Sequence, residues 1–265
     1  MPALLTETDG HVLTVTLNRP EKKNAVNAEV LCGLSDAWHR LDAEDDLRVA
    51  ILTGTGPVFC AGMDLSVIPK LRAGKADDEY EERLLKEGSV IFDGWLKTYR
   101  PAKPVIAAVE GYALAGGTEI LQGTDIRVAG QGAEFGVTEV QRGLFPMAGS
   151  TVRLPRQMPY TVAIEMLVAG TSITAQRAYD LGLIGHVVPD GEALAKAREI
   201  AQRIADNGPL AVKAIMATIR ETATLPEAEA FGIEMKHGMV AMSSEDAAEG
   251  PKAFLEKRKP VFKGR

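Results

Sequence analysis

The stretch KPVIAAVEGYALAGGTEILQG, from Lys103 to Gly123, carries the clearest structural pattern of this 265-residue chain. The apolar run after Lys103 is typical of a buried strand, and the glycines that follow are typical of a turn. The pattern predicts a helix from about Gly117, with Glu119 in its first turn. Two interpretations are open: Glu119 is a favourable acid at a helix start, or this helix start is a reaction site.

The composition narrows the class of protein. Hydrophobic residues make up 46% and charged residues 25% of the chain, which is typical of a globular protein with one large core. The net charge is −6 and aromatic residues are 5%, so we expect no nucleic-acid partner. Two cysteines and four scattered histidines predict neither a disulfide scaffold nor a metal site. With neither a signal-peptide pattern nor a membrane-length apolar run, we expect a cytoplasmic protein without a membrane partner.

The order of predicted elements indicates an α/β core followed by helices. Residues 4–20 predict a β-hairpin with its turn at Asp9-Gly10, and Asn27 is a predicted N-cap of the next helix. A buried strand is predicted in LRVAILTG, and one charged helical segment in residues 77–97. From Glu192 onward the pattern is helical almost to the end. We therefore predict one α/β core with a helical appendage.

Two glycine-containing segments are candidate sources of free backbone N–H groups. GTGPVFCAGMDL, which includes Met63, follows a predicted strand, and open α/β folds bind ligands at the carboxyl ends of strands. Gly116 and Gly117 stand at a helix start, where free N–H groups favour an anion or a polarised carbonyl. Taken alone, the first segment favours an ordinary turn, and the second is equally consistent with close helix–strand packing.

Two carboxylates are candidates for proton transfer. Glu119 lies three residues beyond Gly116, so one helical turn brings it near the same point, and Glu139 follows a short predicted strand. Two such acids can position one water and share the roles of acid and base. The alternative is that either one is a solvated loop acid. No GxGxxG or phosphate-loop pattern supports nucleotide binding.

Five segments taken together are similar to one known family. They are TLNRPEKKNAVN, FCAGMDL, EGYALAGGTEI, FGVTEVQRGLFP and EGPKAFLEKRKPVF. In this order and spacing they resemble the crotonase superfamily, and most of all the enoyl-CoA hydratases. The resemblance implies a crotonase-like spiral of ββα units over residues 1–205 and a C-terminal helical trimerisation region over residues 206–265. It also implies a homotrimer or a dimer of trimers.

The resemblance implies roles for the candidate site residues. The backbone N–H groups of Met63 and Gly116 would hold the thioester oxygen of an acyl-CoA, and Glu119 and Glu139 would be the two acids of a hydratase. Coenzyme A would be the carrier of the substrate, with no prosthetic group. Alternatives within the superfamily are an enoyl-CoA isomerase and a carnitinyl-CoA-type dehydratase. A further alternative is an inactive homologue that binds RNA or a partner chain.

The resemblance also implies a binding site for coenzyme A. Lys22 and Lys23 match a loop that holds it, and Lys257 matches a position that reaches the coenzyme A of a neighbouring subunit. The remaining predicted binding residues are Ala25, Ala61, Gly62, Asp64, Leu65 and Gly117. One departure concerns Met147, which stands where many relatives have glycine, so we expect added bulk beside the Glu139 loop.

Overall fold

Two β-sheets form the centre of the molecule. The computed structural model describes all residues from 1 to 265. In chain order the strands are β1 (Leu4–Asp9), β2 (Val12–Leu17), β3 (Val49–Gly54), β4 (Val105–Val109), β5 (Tyr112–Leu114), β6 (Ile126–Gly130), β7 (Glu134–Gly136), β8 (Ser172–Thr174) and β9 (His186–Val188). The larger sheet has the order β1-β2-β3-β4-β6-β9, and the smaller sheet has the order β5-β7-β8.

Helices surround both sheets and form most of the C-terminal part. They are α1 (Ala28–Ala43), α2 (Val67–Arg72), α3 (Glu79–Lys86), α4 (Ser89–Gly94), α5 (Gly116–Leu121), α6 (Ser150–Gln157), α7 (Tyr160–Ala169), α8 (Ala175–Asp180), α9 (Ala193–Ala205), α10 (Pro209–Thr222), α11 (Glu227–Met242) and α12 (Glu245–Leu255). Two short 3₁₀ helices span Pro20–Lys22 and Glu139–Arg142. None of the helices is both long and apolar enough to cross a lipid bilayer.

The first two strands form the hairpin that the sequence predicts. β1 and β2 are antiparallel, with Asp9 opposite Val12, and Gly10 adopts a φ of 53° in the turn. Every other pair of neighbours in the larger sheet is parallel. Parallel neighbours need crossover connections, and these connections carry the glycine turns and helix starts that the sequence marks.

A ββα unit is repeated along the middle of the chain. β4, β5 and α5 form one unit, and β6 and β7 begin the next. β4 pairs with β6 in the larger sheet while β5 pairs with β7 in the smaller one, where Leu114 lies opposite Gly136. The units therefore stack side by side, and equivalent positions of successive units become neighbours in space.

The larger sheet is covered on both faces. On one face α1 packs against it in the main hydrophobic core, where the fully buried Trp38 donates its indole N–H to the Gly94 carbonyl at 3.1 Å. On the other face α9 presents a row of small residues to β3, β4 and β6. That row consists of Ala193, Ala197, Ala201 and Ala205. Burial on both faces explains why these strands are continuous apolar runs.

Lys103, at the start of the quoted stretch, is buried to 2% exposure just before β4. Its ammonium group donates to the carbonyl oxygens of Leu41 and Glu44, each at 2.6 Å, at the C-terminal end of α1. The last carbonyls of a helix have no intrahelical partner and carry partial negative charge, so a cation there is stabilising. Lys103 thereby fixes α1 to the start of β4.

Most predicted elements are confirmed, but the structure also contains elements that the sequence did not predict, among them α2, β5 and β8. The Asn27 side chain accepts from the Val30 N–H at 3.0 Å, as an N-cap does. The predicted helical segment of residues 77–97 is wrong in its length, since it consists of the two short helices α3 and α4. α6 and α7 were not predicted, because their patterns are short or apolar all round.

The C-terminal helices α10 to α12 follow the α/β part, as the sequence predicts. Arg220 of α10 pairs with Asp125 at 2.9 Å, and Arg48 donates to the carbonyls of Ala205 and Phe262. These bonds attach the helical part to the sheets. The division at residue 205 into two functional regions stays a prediction.

Candidate active site

A cavity of about 990 Å³ opens beside the ends of β3 and β5. Its walls come from the segment around Lys22, the segment from Ala61 to Ile68, α4, the start of α5, and the segment from Thr138 to Ala148. The catalytic residues predicted from the sequence, Met63, Gly116, Glu119 and Glu139, all line this one cavity. Residues far apart in the sequence thus line one cavity.

Met63 is held by a short bridge to Val26. The Val26 N–H donates to the Gly62 carbonyl and the Asp64 N–H donates to the Val26 carbonyl, both at 2.8 Å. Gly62 has a φ of 97°, which side-chain-bearing residues rarely adopt. Met63 lies between these two bonds, and its own N–H has no acceptor within the protein. A backbone donor is therefore free at the cavity wall.

Gly116 supplies a second free donor. As the first residue of α5, it has no intrahelical acceptor for its N–H. The preceding Ala115 has φ 50° and ψ −124°, a strained conformation for alanine and a kind that clusters at functional sites. A Cβ atom built on Gly62 would lie 3.1 Å from the Gly116 nitrogen, so the two donor-bearing loops are in contact.

The glycine pair is also required by packing. A Cβ on Gly116 would lie 2.7 Å from Cη2 of Trp95, and a Cβ on Gly117 would lie 2.5 Å from the Cys60 carbonyl oxygen. Real Cβ atoms do not approach other atoms this closely. The two interpretations of this glycine pair, close packing and a donor site, are therefore compatible, because close packing is what places the Gly116 N–H at the cavity.

Glu119 projects from the first turn of α5 and is buried to 3% exposure. Its two carboxylate oxygens accept from the backbone N–H groups of Ala148 at 3.1 Å and Ser150 at 3.0 Å. These two bonds fix the orientation of the carboxylate. Sequence reasoning missed these donors, and the only signal for them is Gly149, which adopts a φ of 122° between them.

Glu139 begins the 3₁₀ helix that follows β7 and is half-buried. Its Oε2 atom is buried and has no hydrogen-bond donor. Burial, and then the nearby charge of Glu119, raise the pKa of Glu139 to about 8, while Arg142 acts weakly in the opposite direction. At neutral pH Glu139 is therefore predominantly protonated, and the cavity contains a proton donor beside a backbone-anchored carboxylate.

The cavity wall near the two acids is apolar. Leu144, Phe145 and Met147 line it from the loop after Glu139, and Ile91 and Phe92 line it from α4. The side chain of Met147 is 57% exposed and lines the cavity. It therefore adds bulk beside the Glu139 loop, as the sequence predicts. An apolar wall of this kind suits a hydrocarbon chain and keeps the carboxyl of Glu139 poorly solvated.

Most of the predicted coenzyme A residues lie at the same cavity. Those that line it are Lys22, Lys23, Ala25, Ala61, Asp64 and Leu65. Gly62 and Gly117 are buried immediately behind the wall. Lys257 lies exposed at the end of α12 and does not line the cavity of its own chain. The binding roles of all nine stay predictions.

The cations at the cavity differ in their partners. Lys22 and Lys23 are exposed and form no ion pair, whereas Arg19 pairs with Asp64 at 3.1 Å. Sequence reasoning did not single out two further lining cations, Arg72 and Arg142, since single exposed arginines carry no distinctive pattern. The free cations make the cavity opening attractive to an anionic group.

The thiol of Cys60 is not a nucleophile candidate. It is fully buried, and burial raises its pKa to about 12, so it stays protonated. Its sulfur accepts a weak hydrogen bond from the Gly62 N–H at 3.3 Å. Cys60 therefore acts as a small buried side chain that supports the Gly62 turn. No group of three or more His, Cys, Asp or Glu side chains is placed to hold a metal ion.

Comparisons with known proteins agree with this architecture. The chain is 52% identical over its whole length to enoyl-CoA hydratase EchA19 of Mycobacterium tuberculosis, of which the match covers 97%. It is 37% identical to the carnitinyl-CoA dehydratase of Salmonella enteritidis, with 97% of each chain covered. The crystal structure of an enoyl-CoA hydratase from M. tuberculosis superposes with a TM-score of 0.88 at 42% identity, covering all of both chains.

These similarities confirm the crotonase-like fold that the sequence predicts. A model of the enoyl-CoA hydratase/isomerase family matches residues 7–265, which include both sheets, the cavity and the C-terminal helices. The repeated ββα units, the free N–H groups of two neighbouring loops and the two acids lie within that matched region. The chain belongs to the enoyl-CoA hydratase/isomerase family.

Proposed function

We propose that the protein is an enoyl-CoA hydratase, which adds water in the syn sense to a 2-enoyl-CoA thioester and gives a 3-hydroxyacyl-CoA. The observation that carries this proposal is the pairing of a backbone-anchored Glu119 with a protonated Glu139 in one cavity. Hydration needs one group that accepts a proton from water and another that donates a proton to carbon. The 52% identity to an enoyl-CoA hydratase supports the same assignment.

The thioester oxygen is proposed to bind between the N–H groups of Met63 and Gly116. As water attacks C3 of the enoyl group, negative charge develops on that oxygen. Both donors lack a protein partner and both belong to backbone that is fixed before substrate binds. Preorganised donors of this kind each stabilise a transition state by about 3 kcal/mol. The two donors would stabilise the enolate, which is the high-energy species of the reaction.

The two acids are proposed to carry the two protons. Ionised Glu119 accepts a proton from the water whose oxygen bonds to C3, and protonated Glu139 delivers its proton to C2. The product thus gains a hydroxyl group at C3 and a hydrogen at C2, and the negative charge moves from Glu119 to Glu139. Exchange with solvent then restores the starting protonation states. In reverse, the same groups dehydrate a 3-hydroxyacyl thioester.

Coenzyme A is proposed to lie along the open end of the cavity as the substrate carrier, with no prosthetic group. Its phosphates are anionic, and the unpaired Lys22 and Lys23 lie at that end. The apolar wall near Met147 is left for the acyl chain. We place the reaction in fatty-acid β-oxidation, in the cytoplasm, on the strength of the reaction class and the sequence.

The direct test is turnover of crotonyl-CoA by the wild-type protein, followed as loss of the conjugated enoyl-thioester absorbance. We expect 3-hydroxybutyryl-CoA as the product. Because a relative 37% identical is a carnitinyl-CoA dehydratase, carnitinyl-CoA is assayed in parallel, together with a 3-enoyl thioester to detect isomerisation. Turnover of either of these in preference to crotonyl-CoA would replace the hydratase assignment. Inertness toward all three would contradict it.

The reaction should slow as the pH rises through about 8. Glu139 acts in its protonated form, and burial beside Glu119 raises its pKa to about 8. Above that value the acid is ionised and has no proton to give, so kcat/KM should fall by about tenfold per pH unit. A pH–rate profile from 6 to 10 measures this limb. The residual activity of Glu139→Gln should not show this fall in kcat/KM above pH 8. If the same fall persists in that variant, Glu139 is not the group that causes it.

The protein is further proposed to assemble as a homotrimer or a dimer of trimers. α10 and α11 leave large apolar side chains exposed, more than half of each being accessible in the single chain. They are Ile215, Ile219, Phe231, Met235, Met239, Val240 and Met242. Burial of such a surface would stabilise an assembly. Light scattering should give three or six times the mass of one chain, and a monomer would contradict the proposal.

A further inference from the structure

The position of the Glu119 carboxylate depends on one loop. Both of its hydrogen-bond donors are backbone N–H groups, those of Ala148 and Ser150, and no side chain donates to it. We call residues Met147 to Ser150 the acid loop. A shift of this loop would move the carboxylate with it, so whatever fixes the loop also sets the geometry of the base.

Arg153 packs directly against the middle of the acid loop. Its N–H donates to the Gly149 carbonyl at 2.9 Å. A Cβ built on Gly149 would lie 3.6 Å from Cδ of Arg153 and 3.7 Å from its Nη1, which is ordinary van der Waals contact. The aliphatic stem and the guanidinium group therefore lie beneath the residue that separates the two donors to Glu119.

The same guanidinium group reaches a second segment. Its Nη2 donates to the carbonyl oxygens of Leu96 at 2.6 Å and Lys97 at 3.3 Å. We call Trp95 to Lys97 the brace turn, in which Leu96 has a φ of 55°. The Lys97 ammonium group in turn donates to the Met147 carbonyl at 2.6 Å. Two cationic side chains, Arg153 of α6 and Lys97 of the brace turn, thus connect the acid loop to the brace turn.

The brace turn also contacts α5, the helix that carries Gly116 and Glu119. The ring of Trp95 lies so close to Gly116 that a Cβ there would be 2.7 Å from Cη2. Leu96 lies equally close to Gly123, just beyond the end of α5. The brace turn therefore abuts α5 at its start and just past its end, and Arg153 connects that contact to the donors of Glu119.

The partly buried guanidinium group of Arg153 has no salt-bridge partner. No carboxylate oxygen lies within 4.0 Å of it, and its Nη1 is buried with no acceptor. Burial and the neighbouring charge of Arg100 lower the pKa of Arg153 to about 10, while Glu119 opposes that shift. The guanidinium therefore remains charged at neutral pH. Burying a cation without a carboxylate partner lowers stability, and a neutral side chain at the same position would not carry that cost.

Building on the proposed hydration at this site, we infer that Arg153 is a positioning residue for Glu119. It fastens the acid loop to the brace turn and places a positive charge on the Glu119 side of the acid pair. The charged groups that face the two acids are then Arg153 from α6 and Arg142 from the 3₁₀ helix. Arg153 touches neither substrate nor the reacting atoms in this role and acts only through Glu119.

The test compares Arg153→Met and Arg153→Lys with a control, Arg156→Met. Arg156 lies on the same helix, is exposed and forms no hydrogen bond, so the control removes the same charge without touching the acid loop. A misplaced base lowers the rate by about 100-fold for a shift near 1 Å. For Arg153→Met we therefore expect kcat on crotonyl-CoA to fall by about 10- to 100-fold. Its KM should stay within about threefold, because the unpaired lysines lie elsewhere in the cavity.

Combination with Glu119→Gln separates positioning from a general structural role. If Arg153 acts through the Glu119 carboxylate, Arg153→Met should cost less than about threefold in the Glu119→Gln background. Arg153→Lys keeps the charge and one donor, so it should recover part of the loss. If circular dichroism shows that Arg153→Met does not fold, the loss of kcat caused by Arg153→Lys is compared in the wild-type and Glu119→Gln backgrounds instead.

Three outcomes would overturn the inference. One is a folded Arg153→Met with a kcat within about threefold of the wild type, and another is an equal loss in both backgrounds. In both of these the wild type still hydrates crotonyl-CoA, so the proposed function stands and only the positioning role fails. The third is a wild-type protein inert on crotonyl-CoA, which removes the proposed function and the positioning role with it.

Discussion

Replacement of either glutamate by glutamine should lower the turnover of crotonyl-CoA by at least about 100-fold, the usual contribution of a positioned acid or base. Glu119→Gln keeps the size of the side chain but removes the group that accepts a proton from water. Glu139→Gln keeps a neutral side chain yet has no acidic proton to deliver to C2. The measurement is kcat and KM from the absorbance of the conjugated thioester, with circular dichroism to confirm folding.

Glu134→Gln provides the matched control for both variants. Glu134 lies on β7, close to Glu139 in sequence, but it is exposed and does not line the cavity. Its replacement should leave kcat within about twofold, as surface substitutions generally do. A Glu119→Gln or Glu139→Gln protein that keeps wild-type turnover would remove that residue from the proposed mechanism.

Gly116→Ala should lower kcat by about 100-fold, comparable to the loss of one oxyanion donor. The new Cβ would lie 2.7 Å from Cη2 of the buried Trp95, so the start of α5 must move. The Gly116 N–H would then no longer point at the position of the thioester oxygen. Since that bond strengthens in the transition state, kcat should fall far more than KM rises.

A second substitution can relieve the proposed clash. Phenylalanine lacks the distal indole atoms that the new Cβ meets, so Gly116→Ala with Trp95→Phe should recover part of the lost rate. Gly185→Ala is the control, because a Cβ at that position lies outside the cavity and meets only the Arg127 carbonyl oxygen, at an ordinary contact distance of 3.8 Å. Wild-type turnover by Gly116→Ala, at an unchanged melting temperature, would mean that the Gly116 N–H does not carry the developing charge.

The fold could be predicted where local chemistry is distinctive. Asp9-Gly10 between alternating strands, Asn27 before an apolar-periodic helix and the glycine pair before Glu119 each specify a local structure. α6 and α7 could not be predicted in the same way. α6 is only eight residues long and contains Pro155, a residue that usually ends a helix, while α7 is apolar on most faces and lacks an amphipathic period.

The site was predictable in its parts but not in its geometry. Sequence patterns and family resemblance identified the two acids and the two donor loops, and the structure places all four at one cavity. The donors to Glu119 could not be found, because they are backbone atoms brought close by a loop 29 to 31 residues away. The left-handed conformations of Ala115 and Leu96 had no signal either, since tertiary packing and not residue type imposes them.

The pairing of β5 with β7 has a consequence for how this chemistry can change over evolution. Glu119 and Glu139 follow equivalent strands of successive ββα units, and the free N–H groups of Met63 and Gly116 both lie outside the unit that carries Glu139. A mutation in that unit can therefore delete or replace one acid while the two loops that carry the free N–H groups stay intact. Under the proposed mechanism, a substitution at one acid would therefore change the fate of the enolate without removing the groups that stabilise it.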